Sequence, residues 1–175
     1  MSVTVLNKGQ LTDGATPTLQ ETLSATTNGE WGLKSGHRAV AYNEDTGDVI
    51  EVMWAKAGEA IANGAACASA AADGTMTQLD PNAKGVVGVA MTAMASGAYG
   101  WFAVRGRVRV KAGDVAANGA DYISATAGQL DDALVAGDRL RGAVFVEADV
   151  TTSGAYNANT AMISLNYPEV TDIEG

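Results

Sequence analysis

The sequence predicts an all-β fold, a small β-sandwich or barrel with an internal two-fold repeat and an extended N-terminal arm. Three observations carry this. Short apolar runs alternate with Gly-rich polar turns through residues 36–168, the pattern of many short strands packed as a sandwich or barrel. A decapeptide recurs, KAGEAIANGA at 56–65 and KAGDVAANGA at 111–120, and repetition at a fixed offset marks one supersecondary unit used twice. Each copy is followed by a variable stretch and a Gly-Val segment, first at Gly85–Met91 and again at Leu140–Val146.

The elements follow in chain order. Residues 1–35 carry Val3, Val5, Leu6 and Leu11 without sustained periodicity. A frayed terminus is one reading of such a segment; the other, favoured by the spaced apolar anchors, is an arm that orders against a neighbouring subunit. Ala39–Asn43 and Val49–Trp54 flank the turn Glu44-Asp45-Thr46-Gly47-Asp48 and read as a hairpin. Residues 55–72 hold ten Ala, the best helix former. Yet Gly58 and Asn63-Gly64 break that stretch, and Asn-Gly is a strong turn signal. The second copy continues into the strand-like Asp121-Tyr122-Ile123-Ser124, so the first copy is also read as strand and turn. Trp101–Lys111 is the clearest strand, and Ala161–Tyr167 is the last, ended by Pro168. The domains are then an arm (1–35), a β domain (36–168, repeat units about 40–95 and 96–150) and a solvated acidic tail (169–175).

Composition narrows the function. Leu, Ile, Val and Phe together number 34 of 175 residues, against 33 Ala and 21 Gly. Thin side chains bury little area each, so subunit contacts are expected to supply part of the stability. The net charge is −9 and the pI about 4.4, a balance that opposes general affinity for nucleic acid. No run reaches the roughly 20 apolar residues of a membrane span, and the first residues lack the pattern of a signal peptide. Synthesis in a reducing cytoplasm is the expectation. Cys67 is the only cysteine, which forbids an intrachain disulfide or a thiolate cage.

No catalytic, cofactor or metal motif stands out. There is no nucleophile elbow, Walker loop or dinucleotide fingerprint. His37 is the single histidine, read as a surface strand residue; its rival role is an enzyme pairing it with Asp45 or Asp48. Cys67 lies among Ala residues and is read as packed and inert. The acidic turn 44–48 reads as hairpin rather than calcium loop. The chain is therefore read as a non-enzyme without cofactor.

One strand departs from the acidic background. Arg105, Arg107, Arg109 and Lys111 alternate with small apolar residues, and Arg139 and Arg141 form a shorter alternation. At period two each set shares one face, and adjacent like charges call for partners nearby. Three readings stand: a solvated face, an interface meeting a partner's carboxylates, and single-stranded nucleic acid stacked on Trp101 and Phe102. The interface is preferred, and the charge weighs against nucleic acid.

Gly88-Val89-Ala90, Ala98–Gly106, Lys111–Ala120 and Ser124-Ala125-Thr126-Ala127-Gly128 together resemble the capsid decoration, or cement, proteins of tailed bacteriophages. The likeness covers roughly residues 36–148 and rests on a Tyr-Gly-Trp phrase, a Gly-acid-x-x-x-x-Gly turn and a Ser/Thr-Ala-Gly stretch. It implies a β-clip-like or jelly-roll-like protein, often trimeric, on the outer surface of the virion capsid, clamping neighbouring major capsid subunits. The expected partners are the major capsid protein and two further copies of the chain, with no membrane or nucleic acid. The expected interface residues are Val3, Val5, Leu6 and Leu11 of the arm with Arg105, Arg107, Arg109, Lys111, Arg139 and Arg141. The competing reading is an adhesion or carbohydrate-binding module of a virion, a head fibre base or tail component, with Trp31, Tyr42 or Tyr156 as platforms.

Overall fold

A computed structural model describes residues 3–5, 22, 24, 33–43, 46–69, 74–81, 83–113, 115, 122–133, 138–148 and 159–172. These residues form eleven strands in one mixed, barrel-like sheet, with no helix among them. The strands are β1 (Val3–Val5), β2 (Arg38–Asn43), β3 (Asp48–Ala57), β4 (Ala66–Ser69), β5 (Thr75–Gln78), β6 (Gly85–Ala90), β7 (Tyr99–Lys111), β8 (Tyr122–Ile123), β9 (Leu130–Asp131), β10 (Asp138–Phe145) and β11 (Thr160–Asp172).

The pairings close two rings that share β7. In the first, β3 pairs in parallel with β5, β5 with β4, β4 with β6, β6 with β7, and β7 returns to β3. In the second, Ala112 just beyond β7 bridges in parallel to Leu130 of β9. From there β9 pairs with β8, β8 with β10, β10 with β11, and β11 returns to β7. The Lys-Ala-Gly that begins each copy of the decapeptide opens its ring in the same way. Gly58 N–H donates to the Met76 carbonyl at 2.8 Å, and Gly113 N–H donates to the Leu130 carbonyl at 2.9 Å. Residues 55–69 of the Ala-rich stretch are turn and strand, because the Asn63-Gly64 turn bonds outward instead of winding. Gly64 N–H donates to Ala90, and the Gly64 carbonyl accepts from Lys111.

Alternation along the strands sorts the interior into two clusters. Met53, Ala55, Ala57, Cys67, Met76 and Phe102 fill the first ring. Small residues make the room that large ones occupy: a Cβ on Gly100 would sit 2.6 Å from the Met94 sulfur. The second ring is filled by Val108, Val110, Leu130, Phe145 and Ile163, continuous with Val52, Trp54, Val89 and Trp101 on the opposite face of the first ring's strands. The bulk missing from the composition is thus concentrated in a few aromatic and Met side chains.

One expectation needs correction. The last strand does not end at Pro168 but runs to Asp172, so residues 169–172 belong to the sheet rather than to a solvated tail. Proline stops a regular ladder because it lacks an N–H, yet it is accommodated at a bulge. Here β10 and β11 pair as Ala143↔Leu165 and then Arg141↔Glu169, with Tyr167 at φ 51° looping out the extra residues. Beyond the bulge, Glu169 also pairs with Val86 of β6, tying the second ring back to the first.

Burial governs Cys67, whose side chain is sealed inside the first ring. Desolvation pushes its thiol far above the ordinary range, with the Glu59 charge adding to the effect. We expect Cys67 in the native protein to resist a soluble thiol reagent and to react only on global unfolding. Labelling across a urea series, followed by mass spectrometry, checks this. Rapid labelling without denaturant would contradict it.

Candidate docking face

The strands β2, β3, β7, β11 and β10 lie side by side across both rings. Cross-strand partners point to the same side of a sheet, so register alone lays out their exposed face. One row runs Val40, Glu51, Arg105, Asn166, and another runs Arg107, Ser164, Val144. Tyr42 and Val49 form a pair beside them. Val49 is 58% exposed, Val144 41%, Tyr167 41% and Tyr42 38%. An open cleft of about 600 Å³ lies between Val40 and Val49 on one side and Ser164 to Asn166 on the other.

The arginines project as the alternation requires, with Val104, Val108 and Val110 buried behind them. Their carboxylate partners come from the chain itself. Arg105 Nη1 donates to Glu51 Oε1 at 2.8 Å. Arg107 grips Asp48 with two bonds, Nε to Oδ2 at 2.7 Å and Nη2 to Oδ1 at 2.9 Å. Arg109 Nη2 reaches Glu147 Oε2 at 3.4 Å. The Tyr167 hydroxyl donates to the second oxygen of Glu51, and the Arg38 guanidinium lies 5.0 Å over the Tyr167 ring, a cation–π contact. One network thus links β2, β3, β7 and β11.

The other expected interface residues are placed differently. Lys111, half-buried, ends β7 opposite Thr160. Arg139 and Arg141 are exposed on β10, with Leu140 buried between them. Val3 and Val5 stand in β1, paired with β2 of the same chain. Leu6 and Leu11 lie outside the described residues, as do Asp45, Trp31 and Tyr156. His37 is exposed just before β2, its ring 6.2 Å from that of Trp101, and Asp48 is engaged by Arg107 rather than by His37.

Sequence reasoning missed Glu51, Tyr167 and Arg38 as members of this face. Tyr167 lies 116 positions from Glu51 and Arg107 lies 59 from Asp48. Such pairs are set by sheet register, which leaves no local signal. The polar Glu51 between the apolar Ile50 and Val52 was the one available clue.

The acids respond electrostatically to their partners. The Arg107 hydrogen bonds hold the Asp48 carboxyl below its ordinary value, and Tyr167 first, then Arg105, do the same for Glu51. A carboxylate with a depressed folded pKa contributes stability above its unfolded pKa of about 4, lost as pH falls through the folded value. We therefore expect the melting temperature to decline below about pH 4, and to decline less in a Glu51→Gln, Asp48→Asn chain. The difference is modest because these pairs face solvent. Identical acid limbs in both chains would contradict it.

No protein-family model matches the chain, and no curated protein matches it.

Proposed function

We propose that the chain is a head-decoration protein of a tailed bacteriophage, a non-enzymatic trimer that docks on the outer capsid surface and clamps neighbouring major capsid subunits. The observation that carries this reading is the broad, charge-balanced face across both rings, with Tyr42, Val49, Val144 and Tyr167 exposed on it. The sequence resemblance over residues 36–148 supports it. Five strands about 4.8 Å apart make a face roughly 20–25 Å wide, the scale of one side of a stable protein interface.

The ion pairs suit burial against a partner. A guanidinium that already holds a carboxylate loses less on desolvation than a lone charge would. The exposed tyrosines and valines supply apolar contact, and repetition over a shell multiplies a weak single contact through effective concentration. Clamping needs area and a rigid support, and the double ring provides both.

Particles assembled with the chain and imaged by electron cryomicroscopy test the reading. We expect density for a 17.8 kDa subunit, repeated on the outer surface and absent when the chain is omitted. Val49→Glu should lower occupancy at least tenfold, since an uncompensated charge enters the contact. Its melting temperature should stay close to that of the parent, because the side chain is exposed. Unchanged occupancy would remove this face from the docking role, and particles without the subunit would overturn the proposal.

A further inference from the structure

We propose that β1 is an exchanged strand: Val3–Val5 of one copy completes the β2 edge of a second copy, in the register seen within the chain. Three observations point to this. First, among the described residues β1 stands at the end of the strand order and pairs only with β2. Both rings close without it, so β1 leaves its own body at no cost to the rings. Second, residues 6–37 separate β1 from β2. Leu33 is buried in the core and Gly36 N–H bonds to the Trp54 carbonyl, so the tether is residues 6–32. Those 27 residues span up to roughly 90 Å when extended, ample to reach an adjacent copy. Third, the pairing is self-contained. Val3↔Asn43, Thr4↔Tyr42 and Val5↔Ala41 use only backbone register and the β2 edge, which every copy presents identically.

The physics favours exchange once copies meet. A three-residue strand is too short to hold itself, and docking it on its own body closes a long loop at an entropic cost. In reciprocal exchange the same pairings form, no copy is left with an open β2 edge, and the contact between bodies is added. Tethering then makes each second pairing effectively intramolecular. Exchange belongs to the chain alone, so its failure leaves the shell-docking proposal standing.

The test is a register-specific cross-link. Thr4→Cys and Tyr42→Cys chains, one carrying a mass tag, are unfolded, mixed, refolded together and oxidised; Cys67, buried in the first ring, stays out of the reaction. Exchange predicts a disulfide between the two different chains, and covalent oligomers from the chain carrying both substitutions. A double variant that yields only an internally cross-linked monomer overturns the proposal. Deleting residues 2–5, which takes nothing from either ring, gives an independent readout should the cysteine chains fail to fold. Light scattering should show the intact chain as an oligomer and the deletion chain at the monomer mass, with circular dichroism showing the β fold kept. A monomeric intact chain, or a deletion chain of unchanged mass, overturns the proposal equally.

Discussion

Gly106→Val is expected to destabilise the protein by more than about 3 kcal/mol, a large share of the roughly 5–15 kcal/mol that holds a domain folded. Gly106 sits near the middle of β7 at φ 98°, a conformation that side-chain-bearing residues rarely adopt. Forcing one into it costs about 1–3 kcal/mol. Space adds to the strain, since a Cβ would lie 2.8 Å from Ile50 Cγ2 and 3.0 Å from the Val49 carbonyl oxygen. Neither neighbour gives way easily. Ile50 is fully buried, and Val49 belongs to the ladder between β2 and β3. Overpacking of this kind typically costs a further 1–3 kcal/mol or so.

The position explains the severity. At Gly106 the long strand passes from one ring to the other: residues 99–105 pair with β3, and residues 105–111 pair with β11. The register slips by one residue against β3 between Glu51 and Val52, the mark of a bulge, and bulges re-aim a strand. Gly106→Ala should show the same defect in smaller measure. Urea unfolding followed by circular dichroism measures both. A Gly106→Val chain with a parent-like midpoint would show that β7 does not need the bend.

How far the sequence announced this architecture depends on the range of each interaction. Period-two alternation made Arg105–Lys111 legible as a strand with one charged face, and Asn63-Gly64 identified a turn inside an Ala-rich stretch. The decapeptide repeat made the matching Lys-Ala-Gly starts of the two rings legible. Ring closure was not, because it depends on the parallel contacts Ala57↔Met76 and Ala112↔Leu130, and parallel pairing across a crossover leaves no signature in either strand. Gly106 reads in sequence as one more small residue between arginines; its bend exists only once β3 and β11 compete for the same strand. Pro168 misled for a related reason, since the bulge that accommodates it is created by the partner β10. On the exposed face of β2, β3, β7, β11 and β10 the arginines were visible and their carboxylates were not, because register alone brings Asp48 and Glu51 beside them.

Trp54→Ala is the second large effect, at about 3–5 kcal/mol. Trp54 is fully buried and lies directly across from Trp101, the ring centroids 4.9 Å apart at 67°. This edge-to-face geometry adds roughly 0.5–1.5 kcal/mol beyond the area buried. The Tyr99 ring also stacks on Trp54, at 6.5 Å and 18°. The cost of a deletion depends on how well the surroundings collapse into the space. Several members of the same cluster are Ala39, Ala41, Ala66, Ala68 and Ala103, methyl-sized groups with no length to extend into a vacated indole site. The loss should therefore fall at the upper end of the range. Trp101→Ala should cost a similar amount, and the double variant should lose less than the two single losses together, by the coupling energy of the pair. Strict additivity would mean that the edge-to-face contact carries no energy of its own. A fall of only a few tenths of a kcal/mol in either single variant would mean that the aromatic pair does not anchor this cluster, and that its alanine-lined remainder holds together without it.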